Sequence, residues 1–153
     1  MIRRVYVEKR LEYRQQARAI RDAIIRDLGL DGLGEVRHLL RYDVEGVDDA
    51  TWDAARASLF GEPAVESLSE EDPWEPGDAV FAVEYLPGQF DQRADSAEQC
   101  LRILGPGEPV VRCAEVLILS GDLRAGDLDR IKRYRINPVD SREADLERPE
   151  TLR

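Results

Sequence analysis

Apolar and polar positions along the chain alternate in short stretches and fall at helical spacing in longer ones. In Arg4-Val5-Tyr6-Val7-Glu8, Val5 and Val7 share one face, and in Val80–Tyr85 the residues Phe81, Val83 and Tyr85 do. Both stretches predict strands, as do Val36–Val44 and Val65–Leu68. Val110–Leu119 is apolar on both faces, with Val110, Ala114, Val116 and Ile118 on one and Val111, Cys113, Leu117 and Leu119 on the other. A strand buried on both sides lies at the middle of its sheet.

Four helices fit between these strands. The first spans about Leu11 to Leu28, with Ala17, Ile20, Ile24 and Leu28 on one stripe and Gly29 placed to close it. The second spans about Asp49 to Phe60 through Trp52, Ala55 and Leu59. The third carries Ala97, Cys100, Leu101 and Leu104 at i, i+3, i+4 and i+7, and Asp95 or Ser96 can cap it with Glu98 or Gln99 three residues on. The fourth begins near Asp122 to Asp127, carries Leu128 and Ile131, and stops before Asn137-Pro138.

The order is strand, helix, strand, helix, strand, then strand, helix, strand, helix. A turn-rich boundary, Asp72-Pro73-Trp74-Glu75-Pro76-Gly77-Asp78, divides the two series. The expected fold is α+β: two tandem ferredoxin-like split βαβ halves, 1–71 and 79–136, related by a pseudo-twofold duplication. Halves of this size are marginal alone, which favours pairing them. Residues 137–153 are dense in charge and interrupted by Pro138 and Pro149, and are expected to begin a linker.

Composition narrows the function classes. Acidic residues outnumber basic ones 32 to 22 in 153 residues, a net charge of −10 that disfavours a general nucleic-acid role. No run approaches the ~20 apolar residues of a membrane span, nor the shorter apolar run of a signal peptide. Cys100 and Cys113 fit no zinc or redox spacing. A reduced, cytoplasmic protein is the expectation.

Catalytic chemistry is sparse. His38 shares parity with Val36, Leu40, Tyr42 and Val44, so it is expected among apolar neighbours with one hydrogen-bond partner, and no nucleophilic triad assembles around it. Asp43 and Glu45 lie two apart on one strand face, a spacing seen in cation sites and acid–base pairs, but the expectation is a solvated face. Cys100 and Cys113 fall on apolar positions and read as packing residues. Gly105-Pro106-Gly107 reads as a turn between a helix and a strand.

One connection is distinctive. Leu86-Pro87-Gly88-Gln89-Phe90-Asp91-Gln92-Arg93-Ala94-Asp95 is long for a strand-to-helix loop, which usually takes about 2–6 residues. Pro87-Gly88 sets a sharp turn and Phe90 is an apolar anchor. Gln89, Gln92 and Arg93 can make directional hydrogen bonds, with Arg93 just before a helix N-terminus. Pro87, Gly88, Gln89, Phe90, Asp91, Gln92, Arg93 and Asp95 are the candidate interface or ligand residues.

The stretch Phe81–Cys100, which contains this loop, closely resembles the N-terminal region of the large single-chain phosphoribosylformylglycinamidine synthases. Val5-Tyr6-Val7-Glu8-Lys9, Arg41-Tyr42-Asp43-Val44-Glu45-Gly46 and Ile136–Ala144 resemble the same family in the same order, so the likeness spans nearly the whole chain. That family makes formylglycinamidine ribonucleotide from formylglycinamide ribonucleotide, with ATP and glutamine-derived ammonia, in purine biosynthesis.

The resemblance implies an N-terminal domain, like a dimer of the small subunit of split versions of the enzyme, followed by the start of a linker. ATP and magnesium belong to the downstream synthetase domain, so this chain is expected to hold no cofactor and no catalytic residue. Its implied partners are the synthetase and glutaminase domains, which it would hold together along the ammonia path. Two alternatives remain: a free-standing ferredoxin-like module for a small regulatory ligand, and an acid–base enzyme built on Asp43 and Glu45.

Overall fold

The stretch that is apolar on both faces becomes β5 (Val110–Gly121), and it pairs along its length with β2 (Leu33–Glu45) at the middle of a six-stranded antiparallel sheet. The computed structural model describes residues 1–153. The other strands are β1 (Ile2–Lys9), β3 (Glu66–Ser69), β4 (Ala79–Tyr85) and β6 (Ser141–Ala144), in the spatial order β3-β1-β2-β5-β4-β6. Four helices complete an α+β fold compatible with ferredoxin-like folds: α1 (Gln15–Leu28), α2 (Asp49–Ser58), α3 (Gln92–Leu104) and α4 (Asp127–Arg135).

Strands β2 and β3 both run antiparallel to β1, which lies between them, so they are parallel to each other and α2 crosses from one to the other. Likewise α4 joins β5 to β6 across β4. One crossover connection therefore lies on each side of the β2–β5 seam, β2–α2–β3 around β1 and β5–α4–β6 around β4. Elements of the same type begin 77 positions apart: strands at Ile2 and Ala79, helices at Gln15 and Gln92, and strands at Leu33 and Val110.

Strand parity decides what each face buries. Val5, Val7, Val44 and Val111 meet Trp52 and Ala55 of α2 and Ala94, Ala97 and Leu101 of α3. Towards the opposite end of β2 and β5, Val36, Phe81, Leu117 and Leu119 meet Ile20 and Ile24 of α1 and Ile131 of α4. Both helix pairs thus cover the same face. The other face is apolar at Tyr6, Leu39, Ala82, Val116 and Ile118. It carries no helix, and two irregular straps cover it: the 70–78 connection, whose Trp74 stacks edge-on against Tyr6 at 5.9 Å, and the C-terminal residues.

That C-terminal stretch departs from the expected linker. Ser141–Ala144 adds β6 to the free edge of β4, Leu146 packs beneath the sheet, and Leu152 is buried. Arginines hold the strap by its backbone: Arg4 donates to Leu146 O at 2.6 Å, Arg41 to Asp145 O at 2.8 Å and Arg112 to Leu152 O at 3.0 Å. Charge density signalled solvent, but the charged side chains stay exposed while the Asp145, Leu146, Glu147 and Leu152 carbonyls accept from arginines of the sheet.

Three smaller differences concern the helices. Leu11–Tyr13 is a separate 3-10 turn ahead of α1. α3 begins at Gln92, four residues before Ser96, because Asp91 caps it. Cys100 then faces solvent, since the buried stripe is Ala94, Ala97 and Leu101. Gly105-Pro106-Gly107 is the α3–β5 turn, and a Cβ on Gly105 would stand 2.0 Å from Oγ1 of buried Thr51, so only glycine lets α3 end against α2. No helix is long and apolar enough to cross a membrane.

Candidate functional site

The β4–α3 connection shortens to Leu86–Asp91 once the helix starts at Gln92, and its shape follows from two devices. Gln89 N–H donates to Leu86 O at 3.1 Å across Pro87-Gly88, with Gly88 at φ +91°, where a side chain would be strained. The Asp91 carboxylate then accepts from the backbone N–H of Arg93 at 3.0 Å and Ala94 at 3.3 Å, using two of the donors a helix start leaves free. Leu86 N–H also donates to Asp140 O at 2.9 Å, and Tyr85 pairs with Ser141, so the loop is tied to the α4–β6 connection.

These ties frame an open cleft of about 520 Å³ between α2, α3 and the end of β4, lined by Tyr42, Leu59, Tyr85, Asp91, Arg93 and Cys100. A recess of about 160 Å³ continues from it past Arg93 to Cys113, Glu115, Asp140 and Ser141. Tyr42 and Cys113 face each other in the β2–β5 register. Burial pushes the Tyr42 phenol up to about 12 and raises the Cys113 thiol as well, so both are neutral at ordinary pH. A thiol raised in this way is not a nucleophile.

Glu115 receives His38 Nε2 at 2.8 Å and Arg135 Nη2 at 3.3 Å. The His38 hydrogen bond holds its carboxyl below the usual range, with burial opposing. His38 is largely buried on the helix-covered face with this partner, as its parity predicts.

The candidate residues divide between two cavities. Asp91, Gln92 and Arg93 line the cleft, and Arg93 is its exposed cation. Pro87, Gly88, Gln89 and Phe90 line a neighbouring cavity of about 400 Å³ instead, and Phe90 is 71% exposed, so it does not anchor the loop inward. Asp95 lines that neighbouring cavity too, accepting from Gln99 at 2.8 Å. Sequence reasoning did not single out Tyr42, Cys113, Glu115, Asp140 or Ser141 for this cleft. Parity on β2 and β5 puts the first three on the helix-covered face, but only pairing brings them beside Arg93.

Asp43 and Glu45 are not a solvated face. Asp43 is buried and accepts from Arg4 twice, at 2.6 and 2.9 Å, while Glu45 accepts from Leu152 N–H at 2.6 Å and from Thr151 Oγ1. The Leu152 bond keeps the Glu45 carboxyl low, the opposite of what a general acid requires. Both carboxylates are structural. Comparison with protein-family models and with curated proteins returns no match.

Proposed function

We propose that the chain is the N-terminal scaffold and coupling domain of a large single-chain phosphoribosylformylglycinamidine synthase. In this reading it organises the contact between the glutaminase and synthetase domains along the ammonia path and turns over nothing alone. The observation that carries the reading is convergence. Tyr42, Asp91–Arg93 and Asp140-Ser141 belong to three separate stretches resembling that family, and they meet around the cleft and its recess. Equivalent elements 77 positions apart, mirrored across the β2–β5 seam, support an internal pseudo-twofold duplication like a dimer of the split enzyme's small subunit.

A coupling domain needs a preorganised contact that limits water rather than a nucleophile. Neutral Tyr42 and Cys113, one cation at Arg93, and exposed Phe90 and Val139 on the two hydrogen-bonded loops suit that task. Burying a phenylalanine or valine side chain contributes roughly 1.5–3 kcal/mol to a contact. Arg93→Ala in the intact enzyme is expected to raise the glutamine consumed per product formed. A ratio unchanged from wild type would remove the loop from coupling. The cleft's volume lies in the range of small-molecule sites, which favours as an alternative a free-standing ferredoxin-like regulatory module. A saturable ligand that raises the melting temperature of the chain, and fails to do so in Tyr42→Ala, would decide for it.

A further inference from the structure

On the helix-free face, β1, β2 and β5 bring Arg4, Asp43 and Arg112 into one cross-strand row, with Arg41 two residues before Asp43 on the same face of β2. Asp43 is committed to Arg4 through two hydrogen bonds. Arg41 is therefore short of a counter-charge: its Nε lies 3.9 Å from Asp43, beyond hydrogen-bond reach, and its one hydrogen bond runs from Nη1 to the Asp145 carbonyl. Yet its side chain is only 6% exposed. Two buried guanidinium groups share one buried carboxylate, an imbalance that burial makes costly. Burial and then the neighbouring Arg4 lower the affinity of Arg41 for its proton, as an uncompensated cation requires.

The space beside Arg41 is open. A cavity of about 280 Å³ lies between the sheet and the C-terminal strap, with Arg41, Arg112 and Arg148 on its walls beside Asp43, already committed to Arg4, and Glu84. The remaining Arg41 donors make no hydrogen bond and no fully buried side-chain polar atom lacks a partner, so these donors keep some accessible surface, and Arg41 is part of the cavity wall. Arg112 and Arg148 donate only to carbonyls, of Leu152 and Ile2. Arg142, also on the wall, is already paired with Glu84 at 2.7 Å. Asp145 and Glu147 border the cavity with exposed side chains, and their carbonyls serve Arg41 and Arg4.

We propose that this cavity is a binding site for a phosphate-type oxyanion, either free or at the end of a phosphomonoester, held by Arg41 and Arg112 beneath the C-terminal strap. A planar fork of guanidinium donors matches such an anion, and the bound charge would complete the balance that Asp43 leaves unfinished. The site lies on the opposite face of the sheet from the Arg93 cleft and does not depend on the function proposed for it.

The test uses the 153-residue chain. Its melting temperature is followed as inorganic phosphate replaces chloride at constant ionic strength. A saturable rise is expected, with half-saturation weakened about tenfold in Arg112→Gln, equivalent to about 1.4 kcal/mol, and unchanged in Arg93→Gln. Glycerol phosphate, titrated in parallel, separates the sources: tighter half-saturation assigns the site to a phosphomonoester, equal half-saturation to the free anion. Tungstate soaked into crystals should give a heavy-atom peak beside Arg41. No rise beyond chloride, a rise undiminished in Arg112→Gln, or tungstate bound only elsewhere would overturn the site. Arg112 is exposed, unlike Arg41, so its variant decides the matter even if Arg41→Gln fails to fold.

Discussion

Replacing Asp43 with alanine takes away the carboxylate that holds Arg4 and leaves two guanidinium groups buried side by side. Losing one partner of a buried pair costs about 3–5 kcal/mol, because the remaining charge keeps its desolvation penalty. The Arg3–Asp49 pair is the control: Asp49 is 89% exposed, and such surface pairs contribute about 0–1 kcal/mol. Urea unfolding in chloride buffer should therefore separate Asp43→Ala from Asp49→Ala by several kcal/mol. Equal losses would mean that Asp43 is not acting as a buried counter-charge.

Glu115 gives the residue-level pH dependence. Its folded-state pKa is held below the ordinary 4.5, first by the His38 hydrogen bond. A carboxylate depressed on folding contributes stability above its unfolded pKa and loses it as pH falls through the folded value. Stability should thus fall with pH below about 4.5, and Glu115→Gln should flatten part of that fall. Asp27, Asp48 and Glu45 are depressed too, so the difference between wild type and variant is the quantity to read. Identical slopes below that pH would exclude the His38–Glu115 bond as a source.

Among the elements, α3 tests which aspartate starts the helix. Asp95-Ser96 followed by Glu98 and Gln99 has the form of a capping box, but Asp91 receives the two helix-start N–H groups. Glu98 instead accepts from Val111 N–H of β5 at 3.0 Å. Asp91→Ala should cost about 1 kcal/mol, the usual price of a lost N-cap, and Asp95→Ala only the exposed Gln99 contact. Thermal unfolding of the two variants distinguishes them, and the reverse order would restore the later start. The signal for the earlier start was present in Ala94, Ala97 and Leu101, whose 3-and-4 spacing is as helical as the stripe through Cys100 and Leu104. Small alanines were outweighed by larger apolar residues that remain exposed at the end of the helix, as Leu104 does.

Strands with strong alternation were legible almost to their ends, since β1, β2, β4 and β5 each carry a face of large apolar residues. β6 was not, because Ser-Arg-Glu-Ala at a sheet edge buries only Ala144 and owes its existence to pairing with β4. The cleft was half legible for the same reason. The loop residues are neighbours in sequence, whereas Tyr42, Cys113 and Asp140 reach it through strand pairing that no local pattern encodes.

For the molecule as a whole, the β2–β5 seam joins the two series of elements so thoroughly that neither series has a core of its own. Val5, Val44, Trp52 and Ala55 from the first share one cluster with Ala94, Ala97, Leu101 and Val111 from the second. Ile20, Ile24 and Val36 share another with Phe81, Leu117, Leu119 and Ile131. A fragment ending at residue 71 would expose the β2 edge along with half of each cluster, and a fragment beginning at 78 would expose the β5 edge and the other halves. At this size a chain has little stability to lose. The connection between them, 72–77, forms no strand or helix, although Trp74 and the Pro73 carbonyl dock on Tyr6 and Arg37. Two fragments cut there should each be unfolded or aggregated alone and should recover the intact chain's circular dichroism when mixed in equal amounts. The intact chain should unfold in one transition by both near- and far-ultraviolet signals. Either fragment folding alone, or two separated transitions in the intact chain, would show that the halves are independent units that merely touch along β2 and β5.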